Sequence, residues 1–215
     1  IAAVGMTFVI LSGGIDLSVG AVIGFTTVLV AVLIMWLQLH PLIAFAIALI
    51  VATAFGAIMG AAIHYLKVPS FIVTLAGMFL ARGGASVLSP DSIGIEHPFF
   101  TAVQKSYILL PGGGRLTVVG MIMLAVFVLA ILLAHRTRFG SNVYALGGSE
   151  TSAALMGVPV ARTTISIYAL SSFLAGLAGV VFSLYTSAGY SLNALGVELD
   201  AIAAVVIGGT LLTGG

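Results

Sequence analysis

Five stretches of this sequence are apolar enough, and long enough, to cross a lipid bilayer. They are Leu17–Leu37, Pro41–Ile63, Pro69–Leu88, Thr117–Ala134 and Thr164–Thr186, with Arg82 the one charge among them. A hydrocarbon core about 30 Å thick takes roughly 20 residues of helix. Ile1–Leu11 and Ala201–Leu212 read as parts of two further spans. The runs are apolar around the whole circumference, which argues against the alternating strands of an outer-membrane barrel. In lipid each segment must pair its own backbone polar groups, and that selects helices. The expected fold class is therefore an all-α integral membrane protein, a polytopic helical bundle forming one domain over residues 1–215. The first residue, Ile1, already lies inside an apolar run, and the last, Gly215, precedes any polar tail, so that domain is expected to be truncated at both ends. Composition agrees: 6 % of residues are charged and 61 % hydrophobic, against about 25 % charged in a soluble domain. A soluble enzyme and a disordered chain are excluded. A net charge of +1 leaves no footprint for nucleic acid. With no cysteine there is no disulfide framework and no thiolate metal site.

Lys and Arg positions set the orientation. His135–Thr163 carries Arg136, Arg138 and Arg162 against Glu150 alone and reads as cytoplasmic. Ser89–Leu116 balances Asp91 and Glu96 against Lys105 and Arg115 and reads as the outer side. The short His64–Val68 loop, with Lys67, is then cytoplasmic again.

Gly13-Gly14-Ile15-Asp16-Leu17-Ser18-Val19-Gly20 matches Gly208-Gly209-Thr210-Leu211-Leu212-Thr213-Gly214-Gly215 in the pattern G-G-x-x-L-[S/T]-x-G. An apolar run precedes both copies, so an internal repeat is expected, parallel or inverted. Gly13, Gly14, Asp16 and Ser18 interrupt apolar sequence. Irregular backbone at membrane depth is tolerated only where it is buried in protein or lines a cavity, and transporters place such discontinuous helices on the substrate path. Asp16 also suits the cap of a helix starting at Leu17, and the two roles are compatible. Gly20/Gly24, Gly56/Gly60 and Ala175/Gly179 have the spacing of close helix contacts. Arg82 precedes Gly83-Gly84, which are expected to end the regular helix and let the guanidinium snorkel outward. Glu198 and Asp200 suit the start of the last helix. With Tyr190 and Asn193 they are placed near the outer mouth, where a polar rim suits a sugar.

Other motifs carry no chemistry. Leu11-Ser12-Gly13-Gly14 spells part of the ATP-binding-cassette signature, yet it lies in an apolar run and the chain has no phosphate-binding loop. Pro111–Arg115 is a turn cluster. His40, His64, His97 and His135 lack ligand spacing, so no metal and no cofactor are expected. The inner loop 135–163 contains a short helical stretch that Ser149 can cap, with Glu150 in its first turn and Gly157 and Pro159 as its stop. Such a helix can lie on lipid or dock on a soluble partner.

The blocks Gly5–Gly20, Thr74–Met78 with Arg82-Gly83, Arg138–Gly157 and Glu198–Gly209 stand in an order that resembles the permease subunits of ribose-type bacterial ATP-binding-cassette sugar importers. Within that family the likeness is greatest to permeases of the galactofuranose importer. The resemblance implies a multi-pass protein of the bacterial inner membrane that is not itself an enzyme. Its implied partners are a second permease subunit, two ATP-hydrolysing subunits and a periplasmic sugar-binding protein. It places Gly13, Gly14, Asp16 and Ser18 on the substrate pathway, to which Asn193 is added by its expected place at the outer mouth. It makes 135–163 the coupling loop, with Glu150, Ser152, Ala153, Leu155, Met156 and Gly157 at the ATPase dock. A branched-chain amino acid permease of the same superfamily, or a self-contained secondary transporter or channel, are the alternatives.

Overall fold

The computed structural model describes residues 1–109, 111, 113–212 and 214. Thr213 and Gly215 of the second repeat copy, and Gly112 of the turn cluster, lie outside the described residues. The apolar runs are helices: α1 (Ala2–Leu11), α2 (Val19–Met35), α3 (Pro41–Leu66), α4 (Ser70–Leu88), α6 (Val118–Arg136), α9 (Val160–Thr186) and α10 (Val197–Ile207). Three shorter helices, α5 (Pro98–Lys105), α7 (Arg138–Gly148) and α8 (Glu150–Leu155), lie in the connections. Two small antiparallel ribbons join them. β1 (Ile93–Gly94) pairs with β4 (Ala188–Gly189), and β2 (Tyr107–Leu109) pairs with β3 (Arg115–Thr117).

Helix limits follow local chemistry. His40-Pro41 and His97-Pro98 open α3 and α5 in the same way. Each imidazole Nδ1 accepts the N–H two residues on, at 3.3 Å from Leu42 and 3.1 Å from Phe99, and proline fills the first helical position, where no N–H is needed. α3 runs to Leu66 and stops at Lys67, whose φ of 53° is left-handed. Its 26 residues span about 39 Å, enough to cross the bilayer with some tilt. α10 begins at Val197, four residues before the expected run, because Gly196 turns the chain at φ 81°. Its first turn carries Glu198 and Asp200, as the helix dipole favours. The expectation that Gly83-Gly84 end the third span is corrected: α4 continues to Leu88. The glycines cost propensity, but breaking the backbone ladder within lipid costs more.

α9 is the axis of the bundle, and glycines set how closely its neighbours approach. Gly56 and Gly60 of α3 lie against the α9 backbone at Tyr168 and Ile165, while Gly176 and Gly179 of α9 receive Ala52 of α3 and Thr26 of α2. Gly5 of α1 rests on Ser171. Nearly all of α2 is buried, in a core shared with Met6 and Ile10 of α1, Ala175 of α9, and Ala201 and Val205 of α10. α6 is apolar yet buries only Val126, as a lipid-facing helix does. A Cβ at Gly56 would sit 2.5 Å from Ser172 Oγ and 2.6 Å from Ser172 Cβ. Gly56→Val is therefore expected to force α3 off α9 and to destabilise the protein by about 1–3 kcal/mol, read as a lowered melting temperature in detergent.

The two ends of the bundle differ as the charge pattern predicts. At one end Lys67 Nζ meets Glu150 Oε1 at 3.7 Å, joining the α3–α4 turn to α8. At the other, the rings of His40 and His97 are 6.1 Å apart, Gln104 Nε2 donates to Leu184 O at 2.8 Å, and β1 pairs with β4. Stretches 64–68 and 135–163 thus share one end, and 89–116 occupies the opposite one.

The two glycine-rich repeats terminate helices in one conformation. In α1, Gly13 (φ 78°) donates to Ile10 O at 2.9 Å and Gly14 to Val9 O at 3.0 Å. In α10, Gly209 (φ 99°) donates to Val206 O at 2.9 Å and Thr210 to Val205 O at 3.3 Å. Both are Schellman ends. The geometry pairs Gly13 with Gly209 rather than with Gly208, so the register read from the motif is corrected by one residue. The position that must be left-handed defines the equivalence, and of the adjacent pair Gly208-Gly209 it is Gly209 that adopts it.

Candidate functional site

The break between α1 and α2 is suspended between α4 and α9. After the Schellman turn, both backbone groups of Ile15 bond to the first turns of α4: its N–H donates to Ser70 Oγ at 3.2 Å, and its carbonyl accepts from Thr74 Oγ1 at 3.2 Å. Asp16 uses both carboxylate oxygens. Oδ1 accepts from Ser18 N at 2.9 Å and Ser18 Oγ at 2.6 Å, and Oδ2 accepts from Ser171 Oγ of α9 at 2.8 Å. Asp16 and Ser18 have no exposed surface. An unpaired carboxylate at such depth costs several kcal/mol, and three donors offset that cost. Asp16 therefore ties the start of α2 to α9. The helix it serves begins at Val19, not Leu17, because the carboxylate engages the Ser18 N–H in a local turn before the first helical residue.

The five residues assigned to the pathway do not converge. Gly13 and Gly14 border a cavity of about 290 Å³ at the end that carries the Lys67–Glu150 pair, and its wall also includes Ser70 and Tyr168. Asp16 and Ser18 do not line it. Asn193 is at the opposite end, where its side-chain amide donates to Thr27 Oγ1 at 3.3 Å. Gly14 is buried under the Tyr168 hydroxyl, and a Cβ there would collide with it.

Arg82 does not snorkel. Its Nη1 donates to Ser191 O and, at 2.9 Å, to Asn193 O. The chain between β4 and α10 turns with Ala194 at φ 58° and Gly196 at φ 81°, which presents two carbonyls to α4. An intramembrane cation with acceptors of this kind has no need to reach the interface.

The 135–163 segment holds two helices rather than one, and α9 already begins at Val160. Thr137 caps α7, its Oγ1 accepting from Gly140 N at 3.2 Å, and Val143 anchors α7 beneath Phe8 and Ile167. Ser149 caps α8, its Oγ accepting from Ser152 N at 3.2 Å, and Gly157 (φ 82°) follows its end. Ala153 faces inward with no exposed surface, whereas Leu155 is 85 % and Met156 71 % exposed. Glu150, Ser152 and Gly157 are exposed with them.

Sequence reasoning missed Ser70, Thr74, Tyr168 and Ser171. The available signal was hydroxyl groups within otherwise apolar runs, at Thr74 and Ser171-Ser172, where lipid offers no partner.

A family model described as "Branched-chain amino acid transport system / permease component" matches residues 1–214. The chain is 60 % identical over 215 residues to the inner membrane ABC transporter permease protein YjfF of Escherichia coli (strain K12), covering all of this chain and 65 % of that relative. It is 42 % identical over 221 residues to the fructose import permease protein FruG of Bifidobacterium longum (strain NCC 2705), covering all of this chain and 65 % of that relative. It is 40 % identical over 220 residues to the ribose import permease protein RbsC of Escherichia coli (strain K12), covering all of this chain and 67 % of that relative. The chain thus spans about two thirds of the length of these curated relatives. No solved structure matches.

Proposed function

The chain belongs to the branched-chain amino acid transport system / permease component family, and from that membership we propose that it is the membrane-spanning part of an importer subunit that moves a monosaccharide into the bacterial cell. It is a multi-pass inner membrane protein. The observation that carries the sugar reading is whole-chain identity of 40–42 % to permeases named for ribose and fructose import. The branched-chain amino acid reading is weaker. A zwitterion needs charged partners along its path, and Asp16 is already occupied by Ser18 and Ser171.

In this reading the subunit pairs with a second permease, homologous or identical, and the pathway forms between them. Two ATP-hydrolysing subunits sit on the cytoplasmic face, and a periplasmic binding protein delivers the sugar. The 135–163 segment is the coupling loop. α8, with Leu155 and Met156 turned outward, docks on the ATPase. Closure of the ATPase pair then shifts the permease between two states. The permease makes no covalent bond. Gly13 and Gly14 line the inner end of the pathway, Asn193 borders its outer mouth, and Asp16 and Ser18 fix the break between them. Galactofuranose is the sugar favoured by the overall likeness to permeases of the galactofuranose importer.

The test is uptake by the full-length transporter in proteoliposomes with galactofuranose, ribose, fructose and leucine as competitors. Competition by one of the sugars and none by leucine is expected. Competition by leucine alone overturns the reading.

A further inference from the structure

Two charged residues at the outer half of the bundle have no part in the function proposed above. Glu198, on the first turn of α10, is 9 % exposed, and among the described residues its Oε2 has no hydrogen-bond partner. A buried polar group left unpaired loses its hydration without return, and native proteins rarely leave one so. The carboxylate is pressed against Gly20 of α2, where any Cβ would collide with Oε2. One helical turn further along the same face, a Cβ at Gly24 would lie 2.8 Å from Arg82 Nη1. Acid and cation thus occupy successive notches of one helix, about 6 Å apart along its axis, yet no Arg82–Glu198 ion pair is formed.

Arg82 is held instead by the carbonyls of Ser191 and Asn193. These belong to a turn that is under tension. Ala194, a residue with a Cβ, sits at φ 58°, which costs about 1–2 kcal/mol. The turn is further clamped to α2 through Thr27, whose Oγ1 accepts from Tyr190 N and Asn193 Nδ2, each at 3.3 Å. It leads directly into α10 and so into the second glycine-terminated break at Gly209.

We propose that Arg82 and Glu198 form an outer latch, in which Arg82 exchanges between the carbonyls of Ser191 and Asn193 and the carboxylate of Glu198 as the transporter cycles. In the state seen here Arg82 holds the strained turn down on α2 and Glu198 Oε2 has no hydrogen-bond partner. In the alternate state the guanidinium swings one notch along α2 to Glu198, the buried carboxylate gains its partner, Ala194 relaxes and the turn lifts. Each state satisfies one of two competing acceptors, which is what a two-state element requires. Both residues are positioning residues for the outer opening. The proposal rests on the chain being a cycling transporter permease, not on which sugar it carries.

The test uses the full-length transporter with a Leu192→Cys thiol on the turn. Leu192 is 46 % exposed, and the 215 residues contain no cysteine of their own; any cysteine elsewhere in the permease is replaced by serine. Labelling by a membrane-impermeant maleimide is followed without nucleotide and after trapping with ATP and vanadate. The unsubstituted latch should label at rates differing at least three-fold between the two conditions. Glu198→Gln removes the competing charge, so Arg82 stays on the carbonyls and labelling is slow in both. Arg82→Gln removes the charged hold and leaves the turn on Thr27 alone, so labelling is faster than in the unsubstituted protein under both conditions. Sugar uptake falls at least ten-fold in each, while both still co-purify with the partner subunits. These opposite effects on one thiol are not produced by general destabilisation. If the two variants shift labelling in the same direction, or if Glu198→Gln keeps the unsubstituted ratio, the latch is overturned. If labelling cycles with nucleotide but no monosaccharide is taken up, the sugar reading fails and the latch stands.

Discussion

Leu155→Arg in the full-length permease is expected to abolish co-purification with the ATP-hydrolysing subunits and to reduce sugar uptake to background. Leu155 is 85 % and Met156 71 % exposed at the tip of α8, while Ala153 on the opposite face has no exposed surface. The substitution therefore leaves the contact that seats α8 untouched, and the permease should fold and insert normally. Burial of a leucine in a partner's cleft contributes about 1.5–3 kcal/mol, and a guanidinium forced into the same cleft adds a desolvation cost, so association should weaken by more than about 100-fold. The substitution also separates a dock from an amphipathic helix resting on lipid. An arginine at the interface snorkels and is tolerated, so unchanged association and uptake would remove α8 from the coupling role. Ser149→Ala, which deletes the cap at Ser152 N, should give a partial effect, since a lost cap costs about 1 kcal/mol.

The second large effect is expected at Asp16. Asp16→Ala strips the partner from the Ser18 N–H, the Ser18 hydroxyl and the Ser171 hydroxyl in a site with no exposed surface. A serine hydroxyl in a helix can turn to a carbonyl one turn back, which moderates the loss. A destabilisation of about 3 kcal/mol remains, visible as a lower melting temperature in detergent, and uptake should fall with it as the start of α2 comes loose from α9. Asp16→Asn separates geometry from charge. Its Oδ1 can still accept from Ser18, and its amide can donate to Ser171 Oγ, so about 1 kcal/mol is expected. Equal stability of the alanine variant and the native protein would show that the break is held by Ser70 and Thr74 alone.

The breaks were legible because glycine pairs and a lone acid stand out against apolar sequence, and their role in ending helices is local. That 64–68 and 135–163 share one end was legible because both stretches carry their cations close to span ends, at Lys67 and at Arg136, Arg138 and Arg162. Leu155 and Met156 were legible as apolar residues closing a capped short helix. Arg82 was misjudged: the glycines after it suggested a helix end, and its acceptors are backbone carbonyls more than a hundred residues further along, at Ser191 and Asn193, which no side-chain pattern announces. The register of the repeat was off by one, since two adjacent glycines are indistinguishable until one of them adopts a left-handed φ.

By itself the sequence located the apolar helices and the positions of the breaks; four of the five runs read as spans are helices of 18 residues or more, and Leu17–Leu37 forms the shorter Val19–Met35. Helices and breaks depend on sums of transfer free energies and on turn chemistry within a few residues, and both can be read along the chain. Tertiary structure alone decided what the few polar groups in the bundle bond to. Asp16 finds Ser171 across 155 residues, Ile15 finds Ser70 across 55, and Glu198 finds no hydrogen-bond partner for Oε2. In a medium without water each such group must be met by another part of the protein, and which part that is depends on how closely the glycine-lined helices pack.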